Sequence, residues 1–240
     1  MFKTLEALDL QQHAELKYRP VTGYAFAREL TTAPLSASEV VPASRQMMVV
    51  FAGSDAIKPV VLLSARQASN PFVAESGEWQ GDYIPAHIRR YPFILGESGT
   101  QGRYVVMIDR AAPNFDDQAQ QEGEALFVDG KAPEGGMVAR AREFLLRFQN
   151  ELEQTQRLLQ PLVDKGVLVE RQLNVTRNGK KEVAVNGFKV VDAEKLKALD
   201  DATLAAWARS GLLGLVYAHL HSQGNTQALL RGMQQDAEAA

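Results

Sequence analysis

Between residues 47 and 128 the apolar positions come in short unbroken runs: 47–51, stopping at Gly53-Ser54-Asp55; 60–63, following Pro59; 104–108; and 125–128, ahead of Asp129-Gly130. Runs of this length, rich in Val, Ile and Phe and bounded by turn formers, predict strands. The lack of alternation suits strands covered on both faces. The first two are predicted to pair across a turn and to open a central sheet. From about Gly136 the period changes. Met137, Ala141, Phe144, Leu145, Phe148, Leu152, Gln156 and Leu159 recur at helical spacing, with Arg140, Arg142, Arg147 and Glu151 on the other side. This predicts a long amphipathic helix as far as Pro161, its apolar stripe packed on the sheet.

Beyond Pro161 the pattern reads as strands over 168–175 and 183–191, joined by a turn at Asn178-Gly179, with Asn186-Gly187 marking a further turn or bulge. Asp192 opens a short helix through Leu199. A last helix starts at Asp200 or Asp201, whose carboxylates favour an amino end. Its residues Leu204, Trp207, Ala208, Leu212, Leu215, Val216 and Leu220, with Leu213 and Tyr217 on another side, make it apolar over most of its circumference and predict burial. Residues 1–46, broken by Pro20, Pro34 and Pro42, hold no long element, although Ser36-Ala37-Ser38-Glu39 fits the start of a short helix. The acidic, alanine-rich tail 234–240 is expected to fray. These elements predict an α+β fold, with a mixed or mainly antiparallel sheet covered by the long amphipathic helix and a buried C-terminal helix. With no internal repeat and no low-complexity linker, one domain spanning 1–240 is expected.

Composition narrows the function. A 240-residue chain with 45% hydrophobic and 23% charged residues can bury a sizeable core. A net charge of −3 removes the broad positive field that sequence-independent nucleic-acid binding needs, so no nucleic-acid partner is expected. There is no cysteine, which excludes disulfides, thiolate metal sites and cysteine nucleophiles. Glu6, Asp9 and Glu15 interrupt the opening residues, so no signal or transit peptide is expected. No apolar stretch is long enough to span a bilayer. A cytoplasmic location without membrane insertion follows as an expectation.

The most unusual chemistry lies at 79–93. Trp79, Tyr83, Tyr91, Phe93 and the imidazole of His87 stand with adjacent Arg89 and Arg90 and with Pro85 and Pro92. Stacking rings beside two guanidinium groups suit a planar or anionic ligand. The competing reading makes the rings core anchors and the arginines partners of buried carboxylates. Other constellations do not fit known chemistry. Gly96, Gly99 and Gly102 have spacing that matches neither a dinucleotide fingerprint nor a phosphate-binding loop, and Gly179-Lys180-Lys181 lacks the rest of that loop. His219 and His221, two apart on a helix, point in opposed directions and do not chelate one metal; no metal and no cofactor are expected. The acidic stretch of Asp109, Asp116, Asp117, Glu122 and Glu124 lacks the alternating oxygens of a calcium loop and reads as a solvated connection.

The segment Trp79, Tyr83-Ile84-Pro85, Arg89-Arg90-Tyr91-Pro92-Phe93 resembles the central signature of SapC family proteins. Two further stretches support the resemblance: 34–51, with Glu39 ahead of a strand, and 214–222, which carries His219 and His221. The similarity spans nearly the whole chain. It implies a bacterial protein of a family named for a surface-layer-associated gene, with relatives encoded near outer-membrane receptors and halogenase-like or cupin-like proteins. It carries no catalytic residues over. The function expected is a non-catalytic binding or accessory protein whose ligand site uses Trp79, Tyr83, Arg89, Arg90, Tyr91, Glu39 and His87. The ligand classes in view are a small anion, a peptide, an amino-acid derivative or a glycan. The alternatives are a cofactor-free enzyme using an arginine with Glu39, Asp82 or His87, and a structural protein that pairs with itself or another protein.

Overall fold

The computed structural model describes residues 1–54, 56–65, 70–99, 103–115, 122–177, 180–226 and 229. The fold is mixed α+β with antiparallel sheets. The chain divides into two compact units, one built from residues 1–23 and 86–150, the other from 24–85 and 151–240.

In the first unit, β6 (Phe93–Glu97) and β7 (Tyr104–Asp109) form an antiparallel hairpin, with Phe93 opposite Ile108 and Leu95 opposite Val106. β1 (Leu5–Ala7) pairs with the far edge of β7. A second ribbon joins β2 (Lys17–Tyr18) to β8 (Glu124–Ala125). Phe93, Ile108, Phe115, Leu126, Ala141 and Leu145 form the core between these strands and the first turns of α4 (Met137–Asp164). α1 (Leu10–His13) and α3 (Ala86–Arg89) are single turns. At Gly96 a Cβ would lie 2.4 Å from the Met107 sulfur, so the close approach across this hairpin leaves no room for a larger residue without displacing Met107.

The second unit is built on a five-stranded sheet in the order β3 (Thr32–Pro34), β5 (Lys58–Leu62), β4 (Met48–Ala52), β10 (Lys180–Val191), β9 (Leu168–Arg177). β4 and β5 are the two unbroken apolar runs, and four of the five residues in each are buried. Met48, Val50, Val60, Leu62 and Phe188 pack together on this sheet. Register shifts in β10 between Val183 and Phe188 mark the bulge that Asn186-Gly187 suggests. α2 (Ala37–Ser44) starts on a capping box in which Ser36 and Glu39 satisfy each other's end of the helix. α5 (Ala193–Lys197) is capped by the Asp192 side chain.

The C-terminal helical region differs from the single helix predicted. It is two helices, α6 (Asp201–Ser210) and α7 (Leu212–Ser222), divided at Gly211, whose φ of +83° is left-handed. The apolar periodicity continues through the break, so it carries no signal of the turn. A Cβ at Gly211 would meet nothing within 4 Å, so its need for glycine is conformational alone. Gly211→Ala is therefore expected to cost about 1–2 kcal/mol, read as a lowered urea midpoint with an unchanged far-ultraviolet spectrum.

His219 ties α7 to the sheet. Its Nδ1 donates to the Val49 carbonyl at 2.8 Å and its Nε2 accepts from the Val191 amide at 3.0 Å, bridging β4 and β10. The Phe51 ring lies 4.8 Å from the imidazole. Burial, partly opposed by the Val49 bond, pulls the His219 pKa down to about 4. His221 is exposed, so the two imidazoles do face apart.

Four further expectations are corrected. The strands do not share one central sheet: β7 pairs in the first unit, and β4 and β5 in the second. β6 was not foreseen, because Gly96 and Glu97 dilute an apolar run that follows a proline. Of the predicted 125–128 strand only Ala125 lies in a ladder, as the end of β8, with one isolated bridge at Val128. Helix α4 runs past Pro161 to Asp164, a proline so near the end forgoing a single bond. The Asn178-Gly179 turn, Asp116, Asp117 and the 234–240 tail lie outside the described residues. Among the described residues, no helix is long and apolar enough to cross a membrane, and no three His, Asp or Glu side chains gather in a way that would hold a metal ion.

Candidate functional site

The seven residues expected to form a site divide between the units, whose boundary here falls between Pro85 and Ala86. Glu39, Trp79 and Tyr83 belong to the second. Glu39 is buried, and its Oε2 accepts from the Ser36 amide at 2.9 Å and the Ser36 hydroxyl at 3.2 Å. Its Oε1 accepts from the Tyr83 hydroxyl at 2.8 Å. The Tyr83 carbonyl in turn accepts from the Trp79 indole at 3.0 Å. The Trp79 ring stacks on Phe72 and meets Tyr24 edge-on, at centroid separations of 5.7 and 5.8 Å. Each polar atom in this chain of contacts is matched to another, and the ring surfaces are spent on neighbours. The arrangement holds the segment before Pro85 against the start of α2.

His87, Arg89, Arg90 and Tyr91 belong to the first unit, on α3 and the residues after it. The Tyr91–Pro92 peptide is cis. Beside them lies a cavity of about 240 Å³ whose lining includes Arg89, Arg90 and Tyr91, together with Tyr18 from β2 and Arg140 and Phe144 from α4. The Arg89 guanidinium sits over the Phe144 ring at 5.5 Å and that of Arg90 over the Phe2 ring at 5.6 Å. Rings hold the cations in place while leaving their N–H edges directed elsewhere. Arg140 donates to Glu124 at 2.7 Å and to the Gly135 carbonyl at 2.6 Å, and Glu124 also accepts from the Met137 amide that begins α4. Glu124, expected in a solvated connection, thus fixes one arginine of the cavity wall.

Arg90 differs from the others. Its Nε is buried with no hydrogen-bond partner among the described residues, and burial lowers its pKa to about 10. A half-buried guanidinium with one unmet N–H is costly, and an anion delivered to it recovers part of that cost. His87 is held neutral: burial first, then the Arg90 charge and the amino terminus, bring its pKa down to about 4. The Tyr91 hydroxyl donates to Asp109 Oδ2 at 3.1 Å, and burial followed by the Asp109 charge pushes its pKa up. Burial likewise raises that of Tyr18, against a lowering hydrogen bond with Asn114.

Asp109, expected in the same solvated stretch, is fully buried at the end of β7. Its carboxylate accepts from the Lys3 and Thr4 amides at 3.0 and 2.8 Å, from Ala111 at 3.3 Å and from Tyr91. It orients Tyr91 from behind the cavity wall.

Among the described residues, the cavity lining includes three guanidinium groups, two phenols and apolar surface, with no carboxylate and no imidazole. Chemically, that set suits holding a carboxylate or phosphate against aromatic walls. Sequence reading identified Arg89, Arg90 and Tyr91 from their clustering. It missed Tyr18 and Arg140, which the fold brings in from about 70 residues before and 50 after. The family model of SapC matches residues 8–229 of the chain. No curated protein and no solved structure matches it.

Proposed function

The chain belongs to the SapC family, and from that premise we propose that it is a non-catalytic accessory protein that binds a small anionic ligand in the cavity beside α3. The observation that carries this reading is Arg90: a desolvated guanidinium with an unpartnered Nε, set in a cavity wall with Arg89 and Arg140. Ligands bearing a carboxylate, such as a peptide end or an amino-acid derivative, or a phosphorylated sugar match those donors. Binding rather than proton transfer is favoured because Arg90 keeps its charge, and Tyr91 and Tyr18 keep their protons, near neutral pH. The accessory role accords with the surface-layer-associated gene from which the family takes its name.

The test is a thermal-shift screen of wild type, Arg89→Ala and Arg90→Ala against amino acids, dipeptides, sugar phosphates and neutral sugars. Anionic compounds are expected to raise the wild-type midpoint and neutral sugars to leave it unchanged. Arg90→Ala is expected to fold with stability within about 1 kcal/mol of wild type, since it removes a half-buried charge with no counter-ion among the described residues. It is expected to lose the shift. A bound anion also favours the His87 imidazolium, so the His87 pKa, followed by NMR, moves up from about 4 when ligand is added. A variant that melts far below wild type, with no anion stabilising either protein, overturns the reading and makes the arginine pair a folding requirement.

A further inference from the structure

A second cavity in the first unit lies farther along the β6–β7 hairpin. The register explains it: Phe93, Leu95 and Glu97 on β6 face Ile108, Val106 and Tyr104 on β7, so these pairs line one face of the sheet. At the Phe93–Ile108 end that face is filled by Ala141 and Leu145 of α4. At the Tyr104 end it opens into a cleft of about 410 Å³ walled by Leu95, Val106, Tyr104 and Leu146, with Arg103 and Arg142 on its lining. Tyr104 and Leu146 are 38% and 39% exposed. Neither the Arg103 nor the Arg142 side chain makes an ion pair or hydrogen bond among the described residues, although the chain as a whole carries a net charge of −3.

We infer that this cleft is a second ligand site, distinct from the one beside α3, and that it takes an amphiphilic monoanion of the fatty-acid type. The volume lies within the ~300–1,000 Å³ range of small-molecule sites. The two guanidinium groups on its lining match a carboxylate, while Leu95, Val106 and Leu146 with the Tyr104 ring offer apolar contact to an alkyl chain. A phosphate or a free amino acid leaves that bed wet, and a neutral alkane leaves both cations unused. The pairing of the two surfaces selects the class.

Titration calorimetry of the full chain with hexanoate, octanoate and decanoate below their micelle concentrations tests it. Saturable one-to-one binding is expected, strengthening roughly two- to fourfold per added methylene. Decanol and decyltrimethylammonium are expected to bind at least tenfold more weakly than decanoate. Arg103→Gln with Arg142→Gln is expected to weaken decanoate binding tenfold or more, and Leu146→Glu to abolish it. All three positions are exposed, so the variants are expected to melt with wild type. Arg90→Ala is expected to leave decanoate binding unchanged, which separates this site from the cavity beside α3. Absence of saturable decanoate binding overturns the inference. So does equal binding of the cationic amphiphile, or loss of binding in Arg90→Ala with retention in the Arg103/Arg142 variant.

Discussion

Asp109→Ala is expected to lower the unfolding free energy by about 3–5 kcal/mol, a large fraction of the ~5–15 kcal/mol that holds an ordinary domain folded. The carboxylate is fully buried and accepts from three backbone amides and the Tyr91 hydroxyl. Truncation leaves those donors facing an apolar void, and each unmet buried donor costs about 1–3 kcal/mol when water cannot reach it. The Lys3 and Thr4 amides are near the surface and recover some hydration, which keeps the total below the sum. Asp109→Asn keeps the volume and one acceptor oxygen, so its cost is expected to fall between alanine and wild type. Urea unfolding monitored by circular dichroism measures all three proteins. A loss under 1 kcal/mol for the alanine variant would show that β1 is held by its ladder with β7 rather than by this carboxylate.

Stability is also expected to fall as the pH is lowered from 6.5 to 5, before most carboxylates titrate. In the folded chain His219 has a pKa of about 4, against an ordinary 6.5. Between those values the unfolded chain binds the proton and the folded one does not, so acid drives unfolding. Above pH 6.5 both states are neutral and the effect vanishes. The limiting slope is about 1.4 kcal/mol per pH unit for one such site, and the full loss is about 3 kcal/mol below pH 4. Geometry gives the reason: Nε2 accepts from the Val191 amide, and a proton there sets two N–H groups against each other. His87, lowered for its own reasons, acts in the same direction. His219→Gln, able to donate to one carbonyl and accept from one amide, is expected to flatten the pH dependence. Urea midpoints at pH 7.5, 6.5, 5.8 and 5.0 read the slope. A flat wild-type profile over that range would mean that His219 takes up its proton equally in the folded and unfolded chains.

What the amino-acid pattern revealed, and what it concealed, follows from how far apart partners lie. The Ser36 and Glu39 capping box and the bulge near Asn186-Gly187 are local, and both were legible. So were β4, β5 and α4, whose periods are set by a single burial geometry repeated over many residues. Asp109 looked like one more acid in a polar stretch because the groups that surround it come from residues 3, 4 and 91. The break at Gly211 was hidden by apolar residues on both sides that need burial whether the chain turns or not. The arginine pair was found because Arg89 and Arg90 adjoin in sequence. Tyr18 and Arg140 share their cavity wall only through the pairing of β2 with β8 and the grip of Glu124 on α4.

The discontinuity of the first unit also sets an order of events during synthesis. Residues 1–23 leave the ribosome early, yet the carboxylate that secures Lys3 and Thr4 is made 105 to 106 residues later. At the ~5–20 residues per second of translation, that opening segment waits on the order of 5–20 s for its partner. For part of the delay residues 24–85 of the other unit are emerging, and β1 is a short unpaired edge rather than part of a sheet. Until then Leu5, still 43% exposed in the folded chain, is open to any holdase that meets the growing polypeptide.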